Sequence, residues 1–100
     1  MTDTTDAALA EVNLDRADVD FWALPIVGAN ALQYGYLAPL GIEADRTTCA
    51  LGLTTGHLGG ADQLAALDWL EAGGRMRPGQ IIALIGLGAG LTVSCAVVRR

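Results

Sequence analysis

The sequence predicts an α/β fold in which helices pack on a β-sheet. Three apolar runs have the length of buried strands: Phe21–Leu24, Ile81–Ile85 and Thr92–Val98. The last two are rich in β-branched side chains, which strands favour. Between the first two runs, leucines recur every three residues from Leu64 to Leu70, a spacing typical of an amphipathic helix.

Length and charge limit what the chain can be. Its 100 residues are enough for one domain, because single domains span about 50–250 residues. Charged residues make up 17% and hydrophobic residues 52%, against roughly 25% charged residues in an average soluble domain. We therefore expect another surface to cover part of the chain. The net charge of −5 argues against a nucleic-acid-binding surface, since phosphate binding needs clustered positive charge.

The N-terminal segment predicts little regular structure. Residues 1–6 are polar and are expected to form a frayed or disordered terminus, followed by a single domain over residues 7–100. Asp6 is a candidate N-cap for a short helix over Ala7–Val12. No basic segment followed by an apolar core is present near Met1, so the sequence indicates no secretory signal and a cytoplasmic location.

Two elements are predicted between the first strand and the leucine-rich helix. Apolar side chains recur every four residues from Leu32 to Leu40, which predicts a helix over residues 30–40 with Gly35 weakening its middle. Thr47–Leu53 is partly β-prone and predicts a second strand.

Glycine and proline mark the ends of the remaining elements. Gly73–Gly74 ends the helix predicted over Ala61–Ala72, and Pro78–Gly79 predicts a turn before the second apolar run. The three glycines between residues 86 and 90 predict a tight reversal, so the last two apolar runs are expected to form adjacent strands.

A transmembrane helix is the competing interpretation of the C-terminal region. Residues 81–98 carry no charge and are flanked by arginines, and about 20 apolar residues span a bilayer. Gly86 and Gly90 also have the spacing of a helix-packing motif. Against this interpretation, the clustered glycines favour a turn and the segments on either side favour strands, so we predict no membrane span.

The two cysteines, Cys49 and Cys95, do not indicate a metal site. They lie in apolar surroundings, without Cys-x-x-Cys spacing or a neighbouring histidine. Free cysteine is usually a small buried side chain. We therefore predict two buried cysteines, no metal and no cofactor.

An ordered series of motifs resembles one enzyme family. Near the C-terminus the series comprises Arg77-Pro78-Gly79-Gln80, an apolar strand, Gly86-Leu87-Gly88-Ala89-Gly90-Leu91-Thr92 and a closing strand. Upstream it includes the segment from Leu14 to Pro25. From about residue 7 to residue 100, this order is similar to the C-terminal part of ketoacyl-acyl-carrier-protein synthase III enzymes.

The resemblance implies the C-terminal portion of a thiolase-like fold, with helices layered on a mixed sheet and without the first strand of that half. It also implies acyl transfer by a Cys, a His and an Asn, of which the Cys belongs to the half that is lacking. Ile26 stands where the family has its His, so this catalytic position is degenerate, because isoleucine exchanges no proton. His57 stands where the family has its Asn. The Gly56-His57-Leu58-Gly59 pattern with Asp62-Gln63 downstream is similar to an acyltransferase-like subgroup.

His57 is the candidate catalytic residue. It precedes the helix predicted from Ala61, where unpaired N–H groups and the helix dipole disfavour a charged imidazole. A neutral ring there would act as a base or donate to an oxyanion. The alternative is an exposed loop histidine that bonds nearby backbone.

The glycine-rich loop has two interpretations. Backbone N–H groups around Gly88 and Ala89 are candidates for an oxyanion hole, since glycines permit close backbone approach. Equally, these residues serve only to turn one strand into the next.

Three functions remain open from the sequence. The first is an acyltransferase of fatty-acid or polyketide-type biosynthesis that is active only with a Cys-bearing chain. The second is a non-catalytic interaction or scaffold subunit, and the third is a small membrane protein anchored by residues 81–98. We expect a ketosynthase-like partner chain or a homo-oligomer, with an acyl carrier protein or acyl-CoA as a further partner. Ala31 weakens the carrier expectation, because the family often has a basic docking residue at that position.

Overall fold

The structure is a computed structural model. It describes residues 1–51, 56, 62–88 and 92–100. Within these ranges three strands form one sheet in the order β1-β2-β3: β1 is Phe21–Ala23, β2 is Ile81–Gly88 and β3 is Thr92–Arg99. β1 runs parallel to β2, and β3 runs antiparallel to it. The predicted mixed sheet is therefore confirmed.

Asp20 fixes the register between β1 and β2. Its N–H donates to the Ile81 carbonyl at 2.9 Å, and its Oδ2 accepts the Ile81 N–H at 2.8 Å. Phe21 consequently pairs with Ile82, and Ala23 pairs with Leu84.

β2 and β3 form a hairpin in which Ile81 pairs with Arg99 and Gly88 pairs with Thr92. The two apolar runs are thus adjacent strands, as predicted, and the transmembrane-helix alternative for residues 81–98 is wrong. No helix in the part of the chain that the structure describes is long and apolar enough to cross a membrane.

The reversal begins later than predicted. Gly86 pairs with Ser94 inside the ladder, and Gly88 is the last residue of β2. Strand pairing therefore extends through two of the three glycines that were expected to form the turn. Residues 89–91, which connect the strands, lie outside the described residues.

Helix α1 spans Thr2–Ala10, so the prediction of a frayed terminus over residues 1–6 does not match the structure. The Thr5 N–H and hydroxyl both donate to the Met1 carbonyl, at 3.0 and 2.9 Å. Leu9 is 1% exposed and belongs to the core. This tertiary packing explains the order of a polar segment that would not form a helix by itself.

The helix predicted over residues 30–40 is confirmed. It consists of three consecutive segments, which we call α2: Ala29–Leu32, the π-helical turn Gln33–Leu37, and Ala38–Leu40. Gly41 ends it with a φ of 67°, a conformation that favours glycine.

The strand predicted over Thr47–Leu53 is wrong in the residues that the structure describes. Thr47 makes an isolated parallel bridge with Trp22, and residues 49–51 are helical. The Thr47 hydroxyl accepts the Cys49 N–H at 3.2 Å, which satisfies a donor at the start of that helical segment.

Helix α3 spans Asp62–Ala72 and ends as predicted, at Gly73–Gly74. Gly74 has a φ of 64°, and the Arg75 N–H donates to the Leu70 carbonyl at 2.9 Å. The predicted turn at Pro78–Gly79 follows, closed by the Gln80 N–H donating to the Arg77 carbonyl at 3.1 Å.

The core occupies both faces of the sheet. α1 and α2 pack on one face around Trp22 and Ile85, whereas α3 packs on the other face around Leu70 and Ile82. All four of these side chains are at most 1% exposed. Alternate residues of β2 serve the two faces, as strand geometry requires. The result is a helix–sheet–helix arrangement.

β3 forms one edge of the sheet. Its residues alternate between half-buried side chains, on the face that packs with α1, and exposed ones: Thr92, Ser94, Ala96 and Val98. No strand within the described ranges pairs with its outer edge.

Candidate functional site

The candidate site lies where β1 ends beside the first turn of α3. The Asp62 carboxylate is buried, with 1% of the residue exposed, and its Oδ2 accepts the Ile26 N–H at 2.9 Å. The neighbouring Gln63 donates from Nε2 to the Ile85 carbonyl at 2.6 Å. Two consecutive residues of α3 thus bond to the segment after β1 and to β2.

Gly86 contributes to the close packing around this junction. A Cβ at this position would lie 2.7 Å from Ser94 Oγ and 4.0 Å from Gln63 Nε2. The missing side chain therefore leaves room for Ser94 on β3 beside the Gln63 amide.

A cavity of about 330 Å³ lies beside the same junction. Its described lining consists of residues 24–29, Leu32, Thr48 and Cys49. Among these described lining residues, only Thr48 and Cys49 contribute polar side-chain atoms. Ligand pockets in proteins are of this size or larger and mostly apolar, so the cavity is suited to a hydrocarbon group.

Ile26 is half-buried in the cavity wall. Its side chain can neither donate a hydrogen bond nor exchange a proton, so the wall offers no such group at this position. Its assignment as a degenerate catalytic position stays a prediction.

The remaining predicted site residues are only partly described. His57 and Ala89 lie outside the described residues, so the roles predicted for them stay predictions. Gly88 is described as the end of β2. Gly56, next to His57 in sequence, is exposed and has a φ of 67°.

Both cysteines are half-buried, so they are less buried than the sequence predicted. Cys49 lines the 330 Å³ cavity and also a second cavity of about 540 Å³ near Trp69 and Arg75. Cys95 packs against the core below α1, where burial raises the pKa of its thiol and a hydrogen bond with Thr5 lowers it. Among the described residues, no three His, Cys, Asp or Glu side chains are grouped to hold a metal.

Asp62 is the site residue whose contact the sequence did not reveal. Asp62-Gln63 was recognised as part of a motif, but the partner N–H of Ile26 is 36 positions away. Nothing in local sequence connects the two residues, because the contact depends on how α3 returns to the end of β1.

Comparison with known proteins gives one family. Residues 9–100 match the C-terminal family of 3-oxoacyl-acyl-carrier-protein (ACP) synthase III. The β-ketoacyl-acyl-carrier-protein synthase III of Escherichia coli (strain K12) is 33% identical over 94 residues, which are 94% of this chain and 29% of that protein.

Solved structures agree with this match. A ChlB3 acyltransferase structure superposes with a TM-score of 0.94 at 32% identity, covering 98% of this chain and 29% of that one. A Xanthomonas campestris OleA structure with lauric acid and lauroyl-CoA gives a TM-score of 0.81 at 26% identity, covering 94% of this chain and 27% of that one. The fold is the C-terminal portion of a thiolase-like fold, and the chain spans under a third of the length of these relatives.

Proposed function

Because this chain belongs to the C-terminal family of 3-oxoacyl-acyl-carrier-protein synthase III, we propose that it forms part of an acyltransferase that uses acyl thioesters. The observation that supports this most directly is the apolar cavity of about 330 Å³ at the end of β1, beside the start of α3. The cavity would receive the hydrocarbon part of an acyl group. The lauroyl-CoA bound in the OleA relative supports an acyl-CoA as donor, with an acyl carrier protein as the other candidate.

The nucleophile is proposed to lie in the part of the relatives that this chain does not span. Neither cysteine here is suited to that role. Cys49 Sγ lies 3.5 Å from the Ala44 carbonyl, to which it donates. Burial raises the pKa of the Cys95 thiol, which lowers the fraction of reactive thiolate at neutral pH.

His57 is proposed as the base in this chain. The acyl group would be carried as a thioester on the cysteine of the other part. A hydroxyl acceptor would attack the thioester carbonyl while His57 removes the hydroxyl proton, and the tetrahedral intermediate would then release the cysteine thiolate to give the acylated acceptor. Backbone N–H groups at Gly88 and Ala89 would stabilise the oxyanion. With isoleucine at position 26, no imidazole at that position would take part in the proton transfer.

The partner follows from the same proposal. We propose that the chain associates with a ketosynthase-like polypeptide or forms a homo-oligomer. The proposed location is the cytoplasm, and the proposed pathway is fatty-acid or polyketide-type biosynthesis. The second candidate function is a non-catalytic interaction or scaffold subunit of such an enzyme. Ile26 favours this second candidate, because it supplies no catalytic group in the cavity wall.

Co-expression with a ketosynthase-like chain encoded beside it tests the proposal. The oligomeric state is measured first, and the complex is then assayed for acyl transfer from lauroyl-CoA by mass spectrometry of the acylated product. His57→Ala is expected to abolish transfer, whereas Cys49→Ala and Cys95→Ala retain it. Full activity of the His57→Ala complex would contradict the catalytic proposal and leave the scaffold function.

A further inference from the structure

We infer that Asp62 is a positioning residue that holds the wall of the 330 Å³ cavity in place through its hydrogen bond to the Ile26 N–H. The bond joins Asp62 Oδ2 and Ile26 N at 2.9 Å, from a carboxylate with 1% exposure. A hydrogen bond to a carboxylate is stronger than one between neutral groups, and burial strengthens it further.

The segment that Asp62 holds has little regular structure. Residues 24–28 belong to neither a helix nor a strand, and Pro25 has no backbone N–H to donate. The segment therefore lacks the repeated backbone bonds that fix the strand before it and α2 after it. A bond from a buried side chain is accordingly a main restraint on where Ile26 lies.

The other end of the restraint is rigid. Gln63, the next residue, bonds the Ile85 carbonyl in the centre of the β2–β3 ladder at 2.6 Å. Ala66 and Leu70, on the buried face of α3, are at most 1% exposed and keep the helix on the sheet. The Ile26 N–H is thus fixed to the sheet through the first turn of α3.

The consequence for the cavity is direct. Ile26 and Val27 both line it, as do Thr48 and Cys49, so the position at which Asp62 holds the Ile26 N–H affects the shape of this lining. The inference rests on the proposed function only where it calls this cavity an acyl site. The contacts that carry it are independent of any reaction.

Nuclear magnetic resonance of the full chain tests the inference, with Asp62→Ala compared with Asp62→Asn. Alanine removes the acceptor, and we expect Ile26 amide exchange to accelerate about tenfold or more. The Ile26 and Val27 methyl resonances should shift at the same time. Asparagine replaces the carboxylate with a neutral amide oxygen that can still accept, so Asp62→Asn should retain most of the protection of the Ile26 amide against exchange. Asp68→Asn, at an exposed position of the same helix, is the matched control and should change neither signal.

Two outcomes would overturn the inference. One is an unchanged Ile26 exchange rate in Asp62→Ala, and the other is equal acceleration at Ile26 and at Ile82 in β2, which would indicate general destabilisation. If Asp62→Ala does not fold, the chemical shift of the Ile26 amide proton in Asp62→Asn tests the inference instead. The neutral amide acceptor should move this resonance upfield, and an unchanged shift would overturn the inference. His57→Ala separates this result from the proposed function, since it should abolish acyl transfer without altering Ile26 exchange.

Discussion

The Asp6 carboxylate and the Arg16 guanidinium form a two-point ion pair. Arg16 Nε lies 2.7 Å from Asp6 Oδ1, and Nη2 lies 2.8 Å from Oδ2. The remaining nitrogen, Nη1, donates to the carbonyls of Pro39 and Leu40, both at 3.3 Å. One cation therefore joins α1 to the C-terminal end of α2, where the helix dipole favours positive charge.

Replacing Asp6 should change how stability depends on pH. The hydrogen bond from Arg16 lowers the pKa of Asp6, so the ion pair contributes stability above the unfolded pKa of about 3.9. That contribution is lost as the pH falls through the folded pKa. In urea unfolding, Asp6→Asn should therefore be less stable than the wild type at pH 7, and the difference should shrink below pH of about 4.

The matched control for this experiment is Asp3→Asn. Asp3 is exposed on the same helix, so this variant removes a charge from α1 without removing the ion pair. Identical pH profiles for the two variants would contradict a specific role of the Asp6–Arg16 pair.

Truncation of Leu70 should destabilise the protein strongly. The Leu70 side chain is 0% exposed between α3 and the sheet, and truncating a buried leucine costs about 2–5 kcal/mol of unfolding free energy. Leu64 lies on the same helix with 69% exposure, so Leu64→Ala should change stability by less than about 0.5 kcal/mol. Denaturant unfolding of both variants measures the contrast. Similar losses would show that α3 does not pack as described.

Replacing Tyr36 with phenylalanine should stabilise the protein. Tyr36 is 4% exposed, and its hydroxyl has no hydrogen-bond partner among the described residues. Burial also raises the pKa of this phenol. Removing a buried unsatisfied hydroxyl should increase the unfolding free energy by about 1 kcal/mol, seen as a higher Tm. Tyr34→Phe, at a position that is 74% exposed, should have little effect. A lower Tm for Tyr36→Phe would refute the prediction.

Cys95 should react slowly with iodoacetamide in the folded protein. Burial raises the pKa of its thiol and outweighs the hydrogen bond with Thr5, so little thiolate is present at pH of about 8. The rate is measured by mass spectrometry in a Cys49→Ser background, with and without urea. Thr5→Ala removes the interaction that lowers the pKa and should slow folded-state labelling further. Equal labelling of folded and unfolded protein would contradict the prediction.

Elements defined by local signals were predicted well. Gly73–Gly74 ends α3, and the continuous apolar run from Ile81 forms β2, because both depend on neighbouring residues. The N-terminal helix and the Thr47 segment were predicted wrongly for the opposite reason. Packing of Leu9 orders α1, and the bridge of Thr47 to Trp22 is followed at once by a helical segment.

The site shows the same division between local and tertiary information. Ile26 was identified from its place after Pro25, and it lies in the cavity wall. The Asp62 bond that holds it joins distant parts of the chain, so only the folded arrangement reveals it.

The pairing of β1 with β2 also determines how the chain folds. Asp20 and Ile81, which begin this pairing, are 61 positions apart. β2 and β3 are neighbours in sequence and can form their hairpin in about 1–10 μs. During synthesis on the ribosome, β2 becomes available to β1 only after the intervening residues have been made, of which Thr47 makes a single bridge to Trp22. Until then the apolar Phe21–Leu24 segment lacks the ladder that β2 supplies, which makes this segment prone to aggregation before folding is complete.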